Sequence, residues 1–201
     1  MSPFRPDLVD IWIFRMGKPG RRIGFGSVPG PTGRSQGSAV AGGAGAAAPG
    51  IPVPAGRAIE ILMLRRSPGR ILPGLWQCVS GSLEDGESVT DGALRELREE
   101  TGFDAAAIEA FFDLDQVNQF HEPSVRAIVS GAVFAVRVAP ASEPALSHEH
   151  NDMRWVTPTE ALELAIWPAY RESIRRIVEN LLDPDRSIWF ELNLAGERAK
   201  R

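Results

Sequence analysis

Apolar and polar positions divide the chain into two strand-like runs, residues 8–16 and 57–66, then a stretch of alternating strands and helices, then a charged end. Residues 58–64 (AIEILML) are mostly apolar and β-prone, the pattern of a buried strand. Residues 76–79 predict a short strand ending at Gly81, Ala127–Val138 a long one, and 152–156 another short one. Over 88–101 the pattern is helical. Ser88 stands where an N-cap belongs, Ala93, Leu94 and Leu97 recur among charged helix formers, and Gly102 closes the run. Residues 158–166 and 168–182 each open on a proline, a residue suited to a helix's first turn, and predict two further helices. Residues 118–123 read as a loop, and 183–201 as a charged tail with an apolar patch at 188–190. No internal repeat interrupts this order.

Composition changes the picture at one place. Residues 17–56 hold 12 glycines and 6 prolines, no acid, and four basic residues, Lys18, Arg21, Arg22 and Arg34. Such a segment buries too little apolar surface to offset its ordering entropy, so it is expected to be disordered. Lying between two strand-like runs, it reads as a hairpin loop grown long, which costs little free energy. The organisation expected is one domain over 1–182, interrupted at 17–56, with 183–201 as a tail. Elsewhere the 201 residues, 43% hydrophobic and 24% charged, are those of an ordinary globular protein. A net charge of −4 argues against a nucleic-acid partner bound through bulk charge, leaving the four basic residues of the insertion as the only basis for one. No apolar run approaches the roughly 20 residues that span a bilayer, so no membrane partner is expected. Arg5 and Asp7 near the start leave no secretory signal visible, and a lone cysteine, Cys78, excludes an internal disulfide. The expected location is the cytoplasm.

The chemistry concentrates in residues 81–103, GSLEDGESVTDGALRELREETGF. Glu96, Glu99 and Glu100 are three and four apart on the predicted helix and therefore share a face. Packed carboxylates repel, and a divalent cation is the usual remedy; all-oxygen ligands select hard ions such as Mg²⁺, with Mn²⁺ a second candidate. Arg95 is placed to pair with Glu87 and hold the preceding loop to the helix. Gly81 lets the backbone approach an ion closely, its carbonyl a further ligand. Glu-rich helix faces are also common as plain solvated surfaces.

The wider pattern decides between these. Gly81, Glu87, Arg95, Glu96, Leu97, Glu99, Glu100, Gly102 and Phe103 match the Nudix box at every position. Seven fixed letters at roughly one in fifteen each make a chance match on the order of 10⁻⁸ per starting position. The segment thus resembles the Nudix hydrolase family, and the resemblance implies an α/β/α sandwich with a mixed sheet between helices. It also implies metal-assisted attack of water on a phosphorus of a nucleoside diphosphate derivative. Carried over, Glu96, Glu99, Glu100 and the Gly81 carbonyl are the metal ligands, and Arg95 with Glu87 orients the loop and helix. The family often draws a further carboxylate from outside the box. Glu149, in SHEHNDMRW (147–155) between His148 and His150, is the choice, with Asp152 its competitor. The general base is Glu96 or Glu149.

Residues 75–81, the start of the box, and the distal EHNDMRW and WPAYRESI are similar to the dihydroneopterin triphosphate pyrophosphatase and dATP pyrophosphohydrolase-like group. The reaction implied converts a nucleoside or pterin triphosphate to its monophosphate and pyrophosphate. Alternatives within the family are hydrolysis of ADP-ribose or a dinucleoside polyphosphate. Val117–Gln119 stand where the proline of the first is usual, and the tyrosine of the second is missing from that region, Tyr170 lying far beyond. A non-catalytic nucleotide sensor is a further alternative, disfavoured by the complete set of box carboxylates. Candidate substrate contacts are Arg65 or Arg66 to phosphate, Trp76 or Phe120 stacking on a ring, and Gln119 reading its edge. Each also has a plain structural reading, as strand end, core or turn.

Overall fold

The computed structural model describes residues 4–17, 51–53 and 58–198. Most of the glycine- and proline-rich insertion therefore lies outside the described residues. Ile51 and Val53 within it rest against the core.

The first strand organises the molecule. In β1 (Phe4–Gly17) every side chain from Val9 to Phe14 is buried, so the strand is covered on both faces. It runs parallel to β6 (Ala127–Val138) along one edge. On its other edge the strand is shared: Phe14–Gly17 pairs antiparallel with β2 (Ala58–Arg66), and Leu8–Ile11 with β4 (Val79–Ser82). The extended segment that leaves β3 (Trp76–Gln77), itself paired to the end of β2, thus crosses at Cys78 into the fork where β1 and β2 part. The single strand expected at 76–79 is two for this reason: its hydrogen-bond partner changes midway. β7 (His150–Val156) lies on the outer edge of β2. β5 (Ile108–Glu122) adds to β6, and a short β8 (Glu191–Leu192) closes that side.

The expected loop at 118–123 is instead largely strand. Acidic residues interrupt the alternation of β5, and a bulge between Asp113 and Val117, with Asp115 at φ 50°, puts two extra residues opposite β6. Arg176 satisfies the carbonyls this frees, donating to Leu114 at 3.0 Å and Asp115 at 2.7 Å.

Helices cover both faces of the sheet. On one, α1 (Val89–Thr101) buries Ala93 and Leu97 against Val9, Ile11 and Ile13. Ser88 caps it by accepting from the Asp91 amide, and Gly102 ends it in the left-handed region at φ 72°, as its sequence predicts. On the other face α2 (Pro158–Leu164) and α3 (Pro168–Arg176) cover Trp12 and Phe14. The second predicted helix continues past Arg176 as one π-helical turn to Leu181. Beyond it, α4 (Pro184–Ser187) leads to β8, and the Phe190 carbonyl accepts from the Asp113 amide at 2.9 Å. The architecture is the α/β/α sandwich with a mixed sheet that the resemblance implied. Among the described residues no helix is long and apolar enough to cross a membrane.

Candidate active site

The box folds as loop and helix around one guanidinium. Arg95 spends its donors on Glu87, at 3.0 Å from both Nε and Nη2, on the Ser82 carbonyl at 2.9 Å, on Glu96 at 2.9 Å and on Glu99 at 3.2 Å. A bidentate Arg–carboxylate pair is among the stronger polar contacts, and it lowers the Glu87 carboxyl below its ordinary value. Gly92 explains how the loop comes so near: a Cβ there would stand 2.4 Å from Leu83 and 2.9 Å from a Glu87 oxygen. The helix accepts a poor helix former to make room for its own loop.

Gly81 is required by Glu96. A Cβ on Gly81 would lie 2.0 Å from the Glu96 carboxyl carbon, so the bare backbone of β4 forms the seat of that carboxylate. Glu96 and Glu100 both turn towards the fork of the sheet, whereas Glu99, its side chain 54% exposed, stays at the rim against Arg95. Glu149 enters from the turn before β7, paired with Arg70 at 3.1 Å. Its carbonyl anchors the other side of the site by accepting from the Ser67 amide at 2.8 Å.

The charges confirm that these acids crowd one another. Burial raises Glu96, with repulsion from Glu99 and Glu149 adding to it although Arg95 opposes. Glu100, 3% exposed, is pushed up to about 8 by burial and then by Glu96 and Glu149. Its Oε2 has no hydrogen-bond partner. Among the described residues no three acids, histidines or cysteines already stand as a closed cation cage, since Arg95 and Arg70 hold Glu96, Glu99 and Glu149. An orphaned buried oxygen, mutually repelling carboxylates and an all-oxygen donor set nevertheless fit a hard divalent cation.

Raised acids give a pH signature. In the unfolded chain Glu100 ionises near its ordinary 4.5, while the folded protein keeps that proton to about 8, so stability falls as pH rises between those values. His150 acts oppositely: burial and Arg66 lower it to about 4, and its contribution is complete once the unfolded imidazole loses its proton near 6.5. From pH 6.5 to 8, in chelator, the melting temperature is therefore expected to fall, and Glu100→Gln to flatten the slope. An unchanged slope in the variant would contradict the burial of this carboxyl.

The remaining sequence candidates separate. Arg66 and Arg65, consecutive on β2, stand in different surroundings. The Arg66 charge acts on Glu100 and His150, while its Nε donates to the Ile71 carbonyl at 2.7 Å. Arg65 is exposed, its guanidinium beside Gly74. Trp76 packs on the core with the Arg154 guanidinium 4.6 Å over its ring. Asp152 pairs with Arg154 at 3.6 Å. Being strand residues, Gln119 and Phe120 also diverge. Phe120 shares the face of Asn118, which donates to buried Asp10 at 2.7 Å; Gln119 lies on the other, 3.5 Å from Ser130. Arg70, Gln77 and Asp10 carry no signal in the sequence, because each gains its meaning from partners distant in the chain.

Comparison with known proteins places the chain in a family and a fold. A family model described as the NUDIX domain matches residues 45–177, about two thirds of the chain. An octanoyltransferase of Myxococcus xanthus is 38% identical over 130 residues, 63% of this chain and 35% of that protein. The CTP pyrophosphohydrolase of Escherichia coli is 31% identical over 113 residues, 55% of this chain and 76% of the relative. The dihydroneopterin triphosphate diphosphatase of Haemophilus influenzae is 31% identical over 131 residues, 61% and 80%. The chain thus spans about a third of the first relative's length and at least three quarters of the other two. A NUDIX hydrolase structure from Listeria monocytogenes superposes with a TM-score of 0.57 at 20% identity, covering 88% of this chain and 94% of that one. The E. coli dihydroneopterin triphosphate pyrophosphohydrolase gives 0.51 at 26% identity, covering 59% and 85%.

Proposed function

Since the chain belongs to the Nudix family of hydrolases, which act on phosphoric anhydride bonds, we propose that it is a divalent-metal-dependent pyrophosphohydrolase converting a nucleoside or pterin triphosphate to its monophosphate and pyrophosphate. The observation that carries this reading is the convergence of Glu96, Glu100 and Glu149, whose charges already act on one another. The relatives named for CTP and dihydroneopterin triphosphate support the substrate class. Octanoyl transfer is not carried over, because the match spans 35% of the protein so named.

Glu96, Glu99, Glu100, Glu149 and the Gly81 carbonyl would hold Mg²⁺, or Mn²⁺ in its place. Bound there, the cation neutralises the triphosphate and acidifies a water. The side chains do the rest. Glu96, seated on Gly81 and steadied by Arg95, is the first candidate to take the water's proton on a carboxylate oxygen; Glu149 is the alternative base. Water oxygen then bonds to a phosphorus as the bridging P–O bond breaks, and the departing phosphate group keeps that electron pair. Arg66 and Arg70, flanking the acids, supply positive charge for phosphate oxygens. Asp10, in register with Ser80 of β4, accepts from Asn118 of β5, whose face Phe120 shares, and a ring would extend along this face.

The test is a Mg²⁺-dependent hydrolysis panel with chromatographic products: dihydroneopterin triphosphate, CTP, dATP and the other nucleoside triphosphates, ADP-ribose and a dinucleoside polyphosphate. Pyrophosphate from a triphosphate is the expected result. Preference for ADP-ribose or a dinucleotide would keep the chemistry and discard the substrate class. Tight nucleotide binding without turnover would overturn the enzymatic reading.

A further inference from the structure

Glu100 Oε2 is not the only orphan at the base of the site. The Nδ1 of His150, at the start of β7, also lacks a hydrogen-bond partner, and the two atoms face each other at 3.5 Å. Both side chains are buried, at 4% and 0% exposure. The other imidazole nitrogen, Nε2, meets Nε2 of Gln77 at 3.5 Å, and Gln77 is itself buried in β3. An amide nitrogen only donates, so His150 Nε2 must present its lone pair to it. A neutral imidazole has one proton, which this arrangement leaves on Nδ1, aimed at Glu100. A carboxylate placed opposite a fixed N–H has one preferred rotation about its terminal bond.

We infer that His150 is a positioning residue: oriented by Gln77, it donates its Nδ1 proton to Oε2 of ionised Glu100 and so aims the other carboxylate oxygen at the divalent cation. The inference rests on Glu100 being a ligand, as proposed above. It joins β3, α1 and β7 in one line behind the site and gives both orphaned atoms a partner. A charge-assisted bond to a carboxylate is shorter and stronger than a neutral one. Outer residues that orient ligands are worth about 10–100-fold in metal affinity.

Three variants of the full chain test it. His150→Leu removes both ring nitrogens, His150→Asn keeps an amide donor near the position of Nδ1, and Gln77→Leu removes the orienting amide. Mn²⁺ binding, read by the electron paramagnetic resonance of the free ion, is expected to weaken about 10–100-fold in His150→Leu and to be largely rescued in His150→Asn. At saturating metal the turnover of His150→Leu is expected to return towards the parent value. The proton itself is read independently by ¹H–¹⁵N correlation of the imidazoles in the Mg²⁺-loaded protein. With three histidines in the chain, the His150 signals are those lost in His150→Asn. The Nδ1–H tautomer is expected in the parent and a mixture in Gln77→Leu. Equal weakening in the Leu and Asn variants, unchanged Mn²⁺ binding in His150→Leu, or an Nε2–H tautomer in the parent would each overturn the inference. If His150→Leu does not fold, the Asn variant and the tautomer spectrum decide. A parent that binds no Mn²⁺ would instead sink the ligand assignment of Glu100, and this inference with it.

Discussion

Replacing Glu100 by glutamine is expected to lower turnover about a thousandfold and leave the fold intact. Glutamine has the shape of glutamate without its charge. The site that buries Glu100 resists that charge, raising the carboxyl to about 8. Folding therefore gains nothing from the ionised form, and the variant should melt no lower than the parent in chelator. The reaction is different. A cation needs the negative oxygen, and the charge stabilisation it lends the transition state is on the order of several kcal/mol; about 4 kcal/mol corresponds to the thousandfold stated. Pyrophosphate release followed over time, beside a melting curve, measures both halves. A variant within tenfold of the parent rate would remove Glu100 from the mechanism.

The second large effect is expected at a residue with no side chain. Gly81→Ala would set a methyl group 2.0 Å from the Glu96 carboxyl carbon and within 2.3 Å of both its oxygens. The obstacle is the far end of a flexible side chain, so the protein can relieve the clash by letting Glu96 swing away. Stability should change little, since no backbone has to move. Catalysis should fall by roughly a hundredfold, because Glu96 then loses the position from which it works; effects of that size follow from misplacing a catalytic group by about an ångström. The double variant Gly81→Ala/Glu96→Gln separates this account from a general disturbance of β4. If the glycine serves only to seat Glu96, adding it to Glu96→Gln costs nothing further. Fully additive losses would show that it acts elsewhere.

The parts of this molecule written in local sequence are the ones that were legible. Ser88, Leu97 and Gly102 mark the start, face and end of α1 by spacing alone, and the carboxylates of the box follow from their positions on it. The pairing of Arg95 with Glu87 was readable for the same reason, since both belong to one loop and helix. What was hidden depends on partners far along the chain. β5 conceals its strand character because Asp113 and Asp115 break the alternation at a bulge that only β6 and Arg176 make comfortable. The division of 76–82 into two strands reflects a change of partner from β2 to β1. Taking Gln119 and Phe120 as neighbours in a loop put them together; a strand sends them to opposite faces. Arg70 gains its role only when folding brings it to Glu149, and burial behind Glu100 alone sets His150 apart from its neighbour His148.

The central place of β1 also has a consequence in time. The strand lies ahead of the residues matched to the family model, and its parallel partner β6 comes more than a hundred residues later. At the usual pace of translation, about 5–20 residues per second, the growing chain carries the run Val9 to Phe14, five core side chains and Asp10, for on the order of ten seconds before the strand that covers one edge exists. Parallel pairing over such a distance is also intrinsically slow. The nascent protein is thus most exposed to mispairing and to capture by chaperones while β6 is still inside the ribosome.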